Sequence, residues 1–198
     1  MSRKIEKELV DYIDKRLEKN GLAQDALARK DARALMVQAA TTLVGIKEAT
    51  GRNDGKMVRL IQETVGGASG EAWCAAMIQS LIAYAEVKTG KKSPIIDTEL
   101  CYTMWHKSPK TSRVKILPMA GAIAIWNDIG KTTGHTEMVI SADGVTMQCI
   151  GGNTGGTTKP GQPVEANGNG VYYTVRSMKG SKKRALLGFL IPFEKIKA

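Results

Sequence analysis

Near residue 112 the hydrophobic period of this chain changes, and that change restricts the folds open to it. Before it, apolar residues recur at helical spacing. Ile5, Leu9, Tyr12, Ile13 and Leu17 predict a helix over 3–19, stopped by Asn20-Gly21. A second helix is expected over 31–43 with Asp31 as its N-cap, and a third over 56–64. The segment GEAWCAAMIQSLIAYAE carries the strongest pattern, with Cys74, Met77, Ile78, Leu81, Ile82 and Ala85 on one stripe. A short helix over 97–106 would be capped by Asp97 or Thr98. After residue 112 come VKILP, GAIAIWN, HTEMVISA, TMQCIGG, VYYTVRSM and LLGFLIPF. These runs are short, rich in β-branched or aromatic residues, and separated by turn residues. Helices followed by an antiparallel sheet make an α+β protein. GIKEATGRNDG reads as a loop, and 154–170 (TGGTTKPGQPVEANGNG) as a longer, mobile one.

With 198 residues, 42% of them hydrophobic, the chain can bury a core without disulfides. Its three cysteines, an odd number, argue against a disulfide framework. No apolar run approaches the roughly 18 residues of a membrane-spanning helix. No CxxC, HExxH or calcium-binding loop occurs, so neither metal nor cofactor is expected, and Asn53-Asp54-Gly55 alone is no coordination sphere. The net charge of +10 calls for an anionic partner. Residues 176–198 contribute most of it, with seven basic residues against one acidic. There Lys179, Lys182, Lys183 and Arg184 read as a solvated turn or as an anion-steering patch. Nucleic acid has no motif to support it and few aromatics, 5% of the chain. The N-terminal segment lacks an apolar h-region, so synthesis in the cytosol without a secretory leader is expected.

Cys74 falls in the first turn of the strongest helix. The positive end of the helix dipole and its free N–H groups favour a thiolate there, and can also hold an oxyanion. A nucleophilic thiol needs a base. His135 is one of two histidines and opens a strand on the face of Glu137 and Val139. Asp143-Gly144 marks a hairpin to the next strand, and either a two- or a three-residue loop brings Asn153 beside His135. An Asn carbonyl there could fix the imidazole tautomer, the third role in a Cys-His-Asn constellation. Glu137 could do this instead, but two residues along one strand its side chain is expected parallel to the imidazole, not aimed at it. His106 fits a helix C-terminus, while Cys101 and Cys149 read as core thiols.

The stretches VGIKEATGRNDG, AWCAAMIQSLI, PMAGAIAIW, GHTEMVIS and CIGGNTGG, in this order, resemble the CHAP family of cysteine, histidine-dependent amidohydrolases/peptidases. The resemblance covers about 36–193, which divides the chain into an N-terminal helical extension, 1–35, and a hydrolase domain, 36–198. It implies a papain-like fold, with Cys74 as nucleophile, His135 as base and Asn153 as orienting residue. Glu71 lies near the place of an oxyanion-assisting group, but an ionised carboxylate cannot donate a hydrogen bond. Trp73 and Asn53, inside two matching stretches, are expected to contact substrate. The family cleaves amide bonds of peptidoglycan and is common among bacteriophage endolysins. A monomeric phage lysin that acts at the cell wall is therefore expected, binding peptidoglycan and the anionic cell envelope. Whether the bond cut is that of an amidase or an endopeptidase stays open. An interbacterial toxin with the same chemistry and a catalytically silent cell-wall-binding module are the alternatives.

Overall fold

The computed structural model describes residues 3–116, 118–159 and 165–194. The first part is helical: α1 Lys7–Leu17, α2 Gly21–Ala28, α3 Ala32–Leu43, α4 Lys56–Glu63, α5 Cys74–Thr89 and α6 Cys101–Lys107. The second part is strands: β1 Arg113–Val114, β2 Ile123–Asp128, β3 Gly134–Ala142, β4 Thr146–Gly156, β5 Glu165–Ser177 and β6 Arg184–Leu190. The chain is thus α+β, with one six-stranded antiparallel sheet in the order β1-β6-β2-β3-β4-β5.

The helices follow their apolar spacing. Leu9, Ile13 and Leu17 of α1 are buried, as the four-residue repeat requires. Asn20-Gly21, expected to end a helix, also starts one. The Asn20 side chain accepts from the Ala23 N–H at 3.0 Å and caps α2, which the sequence reading missed. Asp31 caps α3 through the Ala34 N–H, as expected. Neither expected cap of α6 holds, since its N-cap is Leu100. Helix α5 is buried on nearly every side and ends at Gly90, whose φ of 72° is the left-handed stop common to helices. The boundary expected at 35/36 falls inside α3, and Leu9, Ile13, Leu35 and Leu43 share one core with α5.

Strand alternation sorts the sheet into two faces. Ile123, Ile125, Met138, Ile150 and Leu190 join the helices in the main core. Ala124, Trp126, Val139, Cys149 and Phe189 form a second cluster. His135 and Glu137 pair with Trp126 and Ala124, which places them on the second face. The β3–β4 turn is longer than expected, with Ala142 opposite Met147. A bulge at residue 140 then corrects the ladder, so that Val139 faces Cys149 and Met138 faces Ile150. The β3–β4 ladder ends at the Met138–Ile150 pair, short of residues 135 and 153. The expected loop over 154–170 is partly strand: Thr154 pairs with Gly170 and Gly156 with Glu165. Its residues 160–164 lie outside the described residues, as does Leu117 of the expected strand VKILP, of which β1 keeps only Val114.

Candidate active site

The site forms where the start of α5 meets the start of β3. Cys74 is the first residue of α5, 7% exposed, and its thiol interacts with the His135 side chain and the Thr136 backbone N–H. A second thiol lies against it, with the Cys101 Sγ 3.7 Å away at the start of α6. The Cys101 contact lowers the Cys74 thiol most. Burial opposes ionisation, and His135 and the Thr136 N–H lower it further, so the thiol lies well below its ordinary range. Cys101 keeps its proton and is pushed up, by its bond to Cys74 and by burial.

The His135 Nε2 is 2.9 Å from the Glu137 Oε1. Burial disfavours a charged imidazole, but Cys74 and Glu137 outweigh it and raise His135 to about 9. Glu137 is fully buried. Burial works against its charge, yet His135 and Arg176 hold its carboxyl far below the usual carboxylate range. Its Oε2 accepts from Thr174 Oγ1 at 2.6 Å and from Arg176 Nε at 3.0 Å, and Arg176 Nη2 reaches Oε1. A buried carboxylate with a guanidinium, a hydroxyl and an imidazole around it has its lone pairs satisfied. Thr174 and Arg176 are two apart on β5, so both reach the same face.

The sequence GGN explains how the two strands close on this group. A Cβ on Gly151 would lie 2.5 Å from the Glu137 Cγ, and one on Gly152 would lie 2.7 Å from the Trp73 ring. Gly151 therefore makes room for the carboxylate, and Gly152 for the indole that precedes Cys74.

Asn153 does not take the role expected of it. Its Nδ2 donates to Asn53 Oδ1 at 2.6 Å and to Glu48 Oε1 at 3.1 Å, and its Oδ1 accepts no hydrogen bond from His135. The cause is local backbone geometry. Asn153 has φ 52°, in the left-handed region, and the β4–β5 ladder shifts register between Gly151 and Thr154. The irregularity breaks the alternation on which a shared face depended. The expectation that Glu137 would lie parallel to the imidazole is corrected too, since its carboxylate turns onto Nε2.

The remaining expected residues fall around this centre. Trp73 is fully buried and donates through Nε1 to Glu48 Oε1 at 3.0 Å, so it supports the start of α5 from within the core. Asn53 bonds Asn153 and the Gly70 carbonyl, and its N–H donates to Glu48 Oε2. Glu71 accepts from the Ala68 N–H at 2.6 Å and ties up its own loop. His106 stacks on Tyr102, with ring centroids 4.2 Å apart. Glu48, Cys101, Thr174 and Arg176 were not singled out as site residues. Glu48 lies in the loop-like GIKEATGRNDG, but for Arg176 the chain offers no local signal.

His135 and Trp126 open on a groove of about 870 Å³, whose wall includes Lys131, Arg176, Lys182, Lys183 and Arg184. Arg184 is paired with Asp128, while Lys182 and Lys183 take no ion pair with a described residue. No group of three or more His, Cys, Asp or Glu that could hold a metal occurs among the described residues. No helix among them is long and apolar enough to cross a membrane. Chemically, a thiolate, an imidazolium and a buried carboxylate together can deliver a nucleophile and then a proton. No family model matches the chain, and no curated protein is detectably similar to it.

Proposed function

We propose that this chain is a cysteine amidohydrolase/peptidase of papain-like, CHAP-type design that cleaves an amide bond of the bacterial cell-wall peptide. One observation carries the reading. A thiol at a helix start interacts with an imidazole that a fully buried carboxylate holds through Nε2. His135 holds the thiol proton of Cys74 as an ion pair. The thiolate attacks the peptide carbonyl, and the carbonyl oxygen takes the charge near the N–H groups at the start of α5. His135 then protonates the leaving amine, and water, activated by His135, cleaves the thioester. Glu137 keeps the imidazole oriented and charged until the amine leaves.

The basic groove beside His135 supports an anionic substrate, as peptidoglycan stems carry carboxylates. The use proposed is that of a phage lysin, with an interbacterial toxin as the alternative deployment of the same chemistry. Growth arrest on periplasmic delivery, relieved by a neighbouring gene product, would favour the toxin. The test of the reaction is digestion of purified sacculi, followed by mass spectrometry of the fragments. Wild type should release new amino groups, and Cys74→Ala should release none while keeping its circular dichroism spectrum. Release by Cys74→Ala at the wild-type rate would overturn the nucleophile. Sacculus binding by wild type with no new amino groups would instead identify a binding module.

A further inference from the structure

The proposed reaction uses one cysteine and leaves a second beside it. Cys74 and Cys101 open two different helices, and their sulfurs stand 3.7 Å apart. Both thiols are free, and both residues are buried, with 7% and 6% of their surface exposed. A disulfide holds its sulfurs about 2.05 Å apart, so closure needs an approach of about 1.7 Å. Cys149 differs. It lies on β4 with no exposure, paired with Val139 and Thr174 on the neighbouring strands, and burial and the Glu137 charge keep its thiol protonated.

We propose that Cys74 and Cys101 are an oxidative modification site, where a peroxide joins the two thiols in a reversible disulfide. In the first step the Cys74 thiolate attacks one peroxide oxygen and the O–O bond breaks. The sulfur is oxidised to a sulfenic acid, and the leaving hydroxide takes the His135 proton as water. In the second step the Cys101 sulfur attacks the Cys74 sulfur. The S–O bond breaks, and the hydroxyl leaves as a second water with the Cys101 proton. The disulfide occupies Cys74, so hydrolysis stops until a thiol reductant restores it. Without Cys101 the sulfenic acid has no resolving thiol beside it, and a second peroxide oxidises it to the irreversible sulfinic acid, releasing water.

The site shares Cys74 with the proposed hydrolase, but it is read by mass and not by activity, so the two readings fail separately. The full reduced chain is treated with hydrogen peroxide, then denatured, alkylated and mapped by mass spectrometry. Expected is a Cys74–Cys101 cross-linked peptide, alkylated Cys149, and complete reversal by dithiothreitol. Cys101→Ser, or Cys101→Ala should the serine disturb folding, should instead accumulate added oxygen on Cys74 that dithiothreitol does not remove. The proposal is overturned if wild type gives the same oxygen adducts as these variants with no 74–101 link, or if the link runs through Cys149. A chain that forms the link but never releases amino groups from sacculi would remove the hydrolase and leave the modification site standing.

Discussion

Two carboxylates stand on either side of the Trp73–Cys74 step, and they are partnered in opposite ways. Glu137 is fully buried and takes two charged donors, His135 and Arg176. Glu48 is half-buried and takes neutral donors: the Trp73 indole, the Asn153 amide and the Asn53 N–H. A carboxylate among cations sets where protons sit. A carboxylate among neutral donors sets only where groups sit. Glu137 therefore governs the protonation of the site, and Glu48 governs the shape of the loop and the indole that support it.

The largest effect expected after loss of Cys74 is at Glu137. Glu137→Gln keeps the shape and removes the charge, so kcat on a soluble stem peptide should fall by roughly 10²–10⁴-fold. A fall of less than about threefold would reverse the assignment. Glu137→Ala should also destabilise the fold, because it strands Arg176. The roughly 3–5 kcal/mol typical of a broken buried pair is an upper bound here, since the guanidinium is 35% exposed and partly screened. Urea unfolding measures it.

Next comes the pH profile. His135 titrates near 9 in the folded chain, above its ordinary 6.5, so its cation persists below about 9 and is lost above. The Cys74 thiol lies below its ordinary 9.0, so its thiolate persists down to that lowered value. The ion pair exists between the two, and kcat/KM should decline on the alkaline side near pH 9. Glu137→Gln removes a group that raises His135 and should move that alkaline limb to lower pH. Glu48→Gln should leave it in place. Fold stability carries the same signature at the acid end. The Glu137 carboxyl lies below its ordinary 4.5, so its stabilising contribution is complete above that pH and is lost as pH falls below it.

Much of this contrast was legible in the chain, and the part that was not has a physical cause. The helical half and the short strands follow from period and order alone, whereas the pairing of Cys74 with His135 came from the resemblance. The Asp143-Gly144 hairpin is where the sequence puts it, but its turn is longer than two or three residues and a bulge at 140 shifts the ladder. Side-chain direction did not follow. Asn153 has a φ of 52°, in the left-handed region, and its side chain bonds Asn53 and Glu48. Arg176 was invisible for another reason, since its partner lies 39 residues away and no local pattern marks a residue for a distant carboxylate. Cys101 looked like any core thiol until a second helix brought it to Cys74.

A smaller effect belongs to Glu48. In Glu48→Gln one amide hydrogen faces donors, so at least one bond to Trp73, Asn53 or Asn153 is lost. The cost is about 1 kcal/mol per bond, read as a Tm lower by a few degrees. KM should rise more than kcat falls, because the supporting loop loosens while the proton chemistry is untouched.

The smallest effect is expected at Asn153, and the choice of substitution matters there. Asn153→Ala removes the tether but also puts an alanine at φ 52°, which adds a backbone penalty of about 1 kcal/mol. Asn153→Gly tolerates that angle, so it isolates the lost bonds to Asn53 and Glu48. With glycine, kcat should stay within about threefold of wild type, and the alkaline limb near pH 9 should not move. If Asn153→Gly shifted that limb as far as Glu137→Gln does, the imidazole would be answering to the amide and not to the carboxylate. The two carboxylates would then no longer divide protonation from shape.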